Sequence, residues 1–138
     1  MNSLKGTITN VESADSLSLV DIRVGSDTLS SLVLETPQTS PFIAPGRNVV
    51  LAFKETEVSI GKDFHCRLSL RNRLRGVVTE VEKGKVLSRI SLDYQGNKVV
   101  SIITSRSATR LEIAVGDEVE GLVKANEMMI MEVDDGAV

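Results

Sequence analysis

The chain has 138 residues with 16 Lys and Arg against 19 Asp and Glu, a formal charge of −3, a length that suits one ordinary domain or two very small ones. An acidic background with no Trp, one Tyr and three Phe argues against a general nucleic-acid binder, which needs basic excess and aromatic platforms. A hydrophobic fraction of 41% is enough for a core, and no run approaches the ~18 apolar residues of a membrane span.

Displaced by 70 residues, the chain aligns with itself without a gap, and 17 of the first 60 positions are identical. Asn2-Ser3-Leu4-Lys5-Gly6 falls on Asn72-Arg73-Leu74-Arg75-Gly76, and Ile43-Ala44-Pro45-Gly46 falls on Ile113-Ala114-Val115-Gly116. A tandem duplication follows, with domains expected at residues 1–66 and 67–138. The start, Met-Asn-Ser-Leu-Lys-Gly, lacks the apolar stretch of a secretory signal. The first copy repeats the element order of the second, with Pro37, Pro41 and Pro45 shortening its helical segment. In the second copy, residues 74–82 are rich in β-branched residues and end at the turn signal Lys83-Gly84. Residues 86–94 lean towards period two and break at Gln95-Gly96-Asn97, and residues 98–103 form a third strand. Residues 105–111 predict the only helix, with Ser105 as N-cap. Strands over 118–124 and 126–132 close the unit, and Asp134 to Val138 read as a frayed tail.

The expected fold is all-β: two tandem OB-like small β-barrels, each of about five strands and one short helix. Units this small bury little apolar surface alone. With a lone Cys66 there is no internal disulfide, which points to a reducing cytoplasm and to oligomerisation as the source of further burial.

If the junction 67–75 is extended, Ser69, Arg71, Arg73 and Arg75 share one face and Leu68, Leu70 and Leu74 the other. Guanidinium forks beside a hydroxyl suit a small oxyanion. The plainer alternative is an edge strand kept soluble by its arginines. Lys124 closes an apolar strand and its counterpart Lys54 recurs at the repeat offset; such lysines commonly snorkel to solvent, though recurrence favours a ligand. His65-Cys66 has no second His or Cys and does not make a zinc or thiol-nucleophile site. Met128, Met129 and Met131 read as core and interface filler. Phosphate-loop, G-x-S-x-G and H-E-x-x-H motifs are absent, so no catalytic residues and no direct cation site are assigned.

Ser69-Leu70-Arg71-Asn72 followed by Leu74-Arg75-Gly76-Val77-Val78 resembles the S-x-R-N-x-L-x-G opening of the molybdate-binding Mop (TOBE) domains. Val123-Lys124-Ala125-Asn126-Glu127-Met128-Met129-Ile130 resembles their closing V-K-[AS]-x-[DE]-V-[ML]-[IL] strand. Two copies in one chain resemble the di-Mop arrangement of stand-alone molbindins and of molybdate-responsive regulators. The resemblance implies an OB-like barrel that assembles by strand exchange and binds molybdate or tungstate between domains or subunits, without a further cofactor. It assigns the oxyanion to Ser69, Arg71, Asn72, Lys124 and the backbone N–H of Ala125, with Lys54 as a weaker ligand. In the first copy Met1 stands at the Arg71 position and Glu55 at that of Ala125, where a carboxylate would repel a dianion; this half is expected to be degenerate.

The function implied is a cytoplasmic, non-enzymatic oxyanion binder, a homo-oligomer of two or three chains, serving storage, homeostasis or sensing, with no membrane or direct nucleic-acid contact. Two alternatives are an accessory or sensing segment of a longer regulator or importer ATPase, and an OB-type nucleic-acid-binding module. The latter would rely on Phe42, Phe53, Phe64 and Tyr94 and would show salt-sensitive oligonucleotide binding.

Overall fold

A computed structural model describes residues 1–63, 65 and 67–133. Phe64, Cys66 and the tail 134–138 lie outside the described residues, and with them the thiol reading and one of the four aromatic positions named above; of the other three, Phe53 and Tyr94 are fully buried and so unavailable for base stacking. The strands, in chain order, are β1 (Asn2–Ala14), β2 (Leu17–Val24), β3 (Asp27–Val33), β4 (Asn48–Phe53), β5 (Ser59–Lys62), β6 (Asn72–Lys83), β7 (Leu87–Tyr94), β8 (Asn97–Thr104), β9 (Glu118–Val123) and β10 (Met129–Glu132). One helix, α1 (Ser105–Arg110), follows β8, and 3-10 turns at Glu55–Glu57 and Ala125–Glu127 precede β5 and β10. Each element from β6 to β10 other than α1 repeats one of β1 to β5 at the 70-residue offset.

The compact units are not the sequence repeats. One unit comprises Met1–Asn2 and Phe53–Lys124; the other comprises Ser3–Ala52 and the segment from Ala125 onward. The expected boundary between 1–66 and 67–138 therefore describes the duplication, while the folded units have exchanged their closing segments. The sheet orders show the exchange: β5-β9-β6-β7-β8 in the first unit and β10-β4-β1-β2-β3 in the second. All pairings described are antiparallel. In the first unit the edge strands β5 and β8 come into contact, as do β10 and β3 in the second. Each sheet thus curls into an OB-like half-barrel around its own core.

Alternation makes these strands. Along β6, Asn72, Leu74, Gly76 and Val78 are buried while Arg75, Val77 and Thr79 are exposed, the period-two pattern of a sheet with one wet face. Leu74, Ile90, Leu92, Tyr94 and Val123 fill the core of this unit, and Leu4, Ile8, Ile22, Leu29 and Leu51 fill the other. A register shift between Ile8 and Asn10 recurs between Val78 and Glu80, a bulge that bends the long strand so that it serves both neighbours. At the β7–β8 turn Gln95 and Gly96 both have positive φ, as a two-residue hairpin turn of the right hand requires.

Three local expectations change. The N-cap of α1 is Thr104, whose side chain accepts from the Ser107 N–H, because the Ser105 hydroxyl donates to the Gly84 carbonyl. The first copy has turns where the second has α1: Ser40 N–H donates to the Thr36 carbonyl, and prolines at 37 and 41 bracket the segment. The last strand starts at Met129 rather than Asn126, since the chain first makes a 3-10 turn closed by the Met128 N–H on the Ala125 carbonyl. Met128 is core, but Met129 and Met131 are exposed.

Candidate oxyanion site

The register of β6 against β9 pairs Asn72 with Val123. One step further out on each strand are Arg71 and Lys124, so the S-x-R-N segment and the V-K segment end side by side in the same unit. Both side chains are exposed, as is Ser69 in the irregular segment leading into β6. The 3-10 turn at Ala125–Glu127 bends the chain away directly after Lys124.

The Asn72 side chain is fully buried. Its repeat counterpart Asn2 shows what an asparagine here can do. The Asn2 amide donates to the Val100 carbonyl and accepts from the Val100 N–H, each at 2.8 Å, so it pairs with β8 as a strand would. Asn72 marks the strand start from inside, while Arg71 and Lys124 face solvent.

Lys54 is exposed and extended (φ −71°, ψ 144°) ahead of the turn Glu55–Glu57. Its unit is the one that holds β6 and β9, but no strand register brings it beside Arg71. Next to it, Glu55 lies 3.6 Å from the Arg89 guanidinium, so the carboxylate at the Ala125 position is balanced within the protein.

The basic stripe is shorter than the sequence suggests. Arg73 Nε donates to Glu120 Oε2 at 2.6 Å and Arg75 Nη2 to Glu120 Oε1 at 3.4 Å. Glu120 is nearly buried and stands opposite Arg75 in register, a cross-strand pair that only the strand pairing reveals. Nor is β6 an edge strand; it is the middle strand of its sheet. The Arg73–Arg75–Glu120 cluster leaves Arg71 and Lys124 as the cations at the strand ends. Elsewhere in this unit a cleft of about 210 Å³ is lined by Asp63, His65, Arg75, Glu118 and Glu120; its acidic walls do not suit a dianion. Among the described residues no His, Cys, Asp and Glu group could hold a metal ion, and no helix is long and apolar enough to cross a membrane.

The TOBE domain model matches this chain twice, over residues 1–60 and 68–130. The chain belongs to the TOBE domain family. Among similar proteins, the molybdenum-pterin-binding protein MopB of Rhodobacter capsulatus is 30% identical over 124 residues, 88% of this chain and 46% of MopB. The chain therefore spans less than half the length of that relative. Molybdenum-pterin-binding protein 2 of Clostridium pasteurianum is 37% identical over 65 residues, 46% of this chain and 96% of that protein. The solved structure of the cytoplasmic molybdate-binding protein ModG with molybdate bound superposes with a TM-score of 0.90 at 29% identity, covering 96% of each chain. A tandem pair of TOBE domains thus accounts for both the repeat and the ten strands.

Proposed function

We propose that this TOBE protein binds molybdate or tungstate reversibly, as a cytoplasmic oxyanion store or sensor rather than an enzyme. The observation that carries the reading is the Asn72–Val123 register, which sets Arg71 and Lys124 at adjacent strand ends, with Ser69 two residues ahead of Arg71. The likeness to molybdate-bound ModG along nearly the whole chain supports it. In this reading Ser69, Arg71 and Lys124 are the direct donors and Ala125 adds its backbone N–H. Asn72 holds the strand end in place, and Lys54 belongs to a weaker second half-site.

Donors alone suit this ligand. Molybdate at neutral pH is fully deprotonated and only accepts hydrogen bonds, which guanidinium, ammonium, hydroxyl and amide groups supply. Monohydrogen phosphate brings a proton that finds no acceptor there, a penalty of ~1–3 kcal/mol. Three exposed side chains do not surround a tetrahedral anion, so a second copy of the chain completes the shell, and binding stabilises the oligomer by linkage.

Isothermal titration with molybdate, with sulfate and phosphate as competitors, tests the reading. The expected result is saturable binding that phosphate does not displace. Arg71→Ala should weaken it at least tenfold, in line with the ~1.5–3 kcal/mol of a charged hydrogen bond, while far-UV circular dichroism is unchanged. Absence of heat, or an unchanged affinity in Arg71→Ala, would sink the proposal.

A further inference from the structure

The turn between β6 and β7 and the helix α1 carry four cations that the oxyanion site does not use. Lys83 and Lys85 flank Gly84 on the turn, and Arg106 and Arg110 lie one helical turn apart on α1. With Ser105 and Thr109 they line an open cleft of about 730 Å³, within the ~300–1,000 Å³ range of small-molecule sites. All four cations are exposed. Among the described residues none of them makes an ion pair.

The cleft is built rather than incidental. Ser105 Oγ donates to the Gly84 carbonyl at 2.6 Å, and the Ser105 N–H donates to the Val86 carbonyl at 2.8 Å. A Cβ at Gly84 would stand 2.5 Å from the Leu87 carbonyl oxygen, so glycine is what lets the β6–β7 turn close tightly on itself. Arg110 in the last helical turn suits the peptide dipoles, but two features of the charges work against the local structure. Arg106 and Arg110 are like charges at i and i+4, which is destabilising, and Arg106 sits in the first helical turn, where a cation opposes the peptide dipoles.

The first copy carries none of this charge. Lys83, Lys85, Arg106 and Arg110 correspond to Ser13, Asp15, Thr36 and Ser40 in the first copy. There Ser40 donates to Glu35, and no cation occupies any of the four positions. The first copy makes turns rather than a helix here, so the four cations are particular to the corner that α1 builds.

We propose that this cleft binds a small molecule bearing two or more linked phosphates, either a nucleotide or an inorganic polyphosphate. Four cations around one cleft match the charge of a di- or triphosphate, and their apolar stems line the walls. Guanidinium groups one helical turn apart can engage successive phosphates as forks. The cleft is separate from the strand ends at Arg71 and Lys124 in sequence and in lining, so failure here leaves the molybdate reading untouched.

Titration of the full chain with inorganic triphosphate and with ATP, in parallel, tests the proposal. Saturable binding is expected at one ligand per chain, weakening with added salt as screening grows. Equal affinities assign recognition to the phosphate chain; clearly tighter ATP binding assigns it to a nucleotide. Arg106→Glu and, separately, Lys85→Glu should each weaken binding at least tenfold. Both lie on the surface, and Arg106→Glu places an acid where the helix favours one, so either folded variant suffices. The same variants should titrate molybdate normally. No saturable binding, or affinity unchanged in both variants, overturns the proposal. A single-stranded oligonucleotide that binds more tightly than triphosphate and is lost in the same variants overturns it in favour of nucleic acid.

Discussion

Arg73, Arg75, Glu120, Lys62 and Asp117 show how single charges divide the basic residues between structure and ligand. Alternation alone put four donors on one face, yet two of them close on Glu120, whose position is legible only once β9 is known to lie beside β6. Asp117 is a second case. Its carboxylate accepts from the Ala114 N–H at 2.8 Å and lies 3.0 Å from Lys62 Nζ. The backbone hydrogen bond first, and the lysine second, hold its pKa below the ordinary aspartate value. A carboxylate depressed in the folded state stabilises the fold above its unfolded pKa, and the contribution disappears as pH falls through the folded value. Asp117→Asn should therefore lower the denaturation midpoint at pH 7 and narrow its difference from the parent below about pH 4, the unfolded aspartate range. Urea titrations at pH 7 and pH 3 measure this; an equal gap at both would contradict it.

At the scale of strands and turns, the 70-residue offset made most of the architecture readable, because glycine and β-branched positions recur where the backbone demands them. Gly6 and Gly76 are the sharpest example. A Cβ on Gly76 would approach the Asp93 carbonyl oxygen to 2.6 Å, and one on Gly6 would meet the Arg23 carbonyl oxygen at 2.8 Å. Each glycine lets a long strand pass close to its neighbour just before the bulge. Gly76→Ala should cost ~1–3 kcal/mol, as overpacking does, read as a lower urea midpoint at neutral pH. A stability equal to the parent's would mean that β7 gives way easily. Less legible were the 3-10 turns. Ser101 Oγ donates to the Val58 carbonyl and Ser31 Oγ to the Met128 carbonyl, each at 2.6 Å. These buried serines tie the end of each turn to β8 or β3, a long-range contact with no local signal in the sequence. The family motif located the Lys124 segment; the serine explains why it turns there.

For the molecule as a whole, the least legible feature is that β5 completes the sheet of the second copy and β10 that of the first, since repeats with the same strand order could close either way. Two ion pairs give a physical reason for the exchange. Lys62 on β5 pairs with Asp117, while at the equivalent place in the other unit Glu132 on β10 lies 3.9 Å from Arg47. The positions are related by the repeat, but the charges are reversed. Had each repeat closed on itself, Lys62 would face Arg47 and Glu132 would face Asp117, and both contacts would be repulsive. The exposed Arg47–Glu132 pair contributes only ~0–1 kcal/mol and Lys62–Asp117 is half-buried, yet the alternative pays twice, in lost attraction and in repulsion, which is how charge selects between otherwise similar pairings. This predicts the behaviour of residues 67–138 expressed alone. Whether that piece closes on itself or swaps β10 with a second copy, Glu132 meets Asp117. It should therefore unfold at lower temperature at pH 7 than the full chain, and Glu132→Lys should raise its melting temperature. In the full chain the same substitution sets a lysine against Arg47 and should lower it. Melting curves of the four proteins decide the point: a change of the same sign in both backgrounds would remove charge as the reason for the exchange.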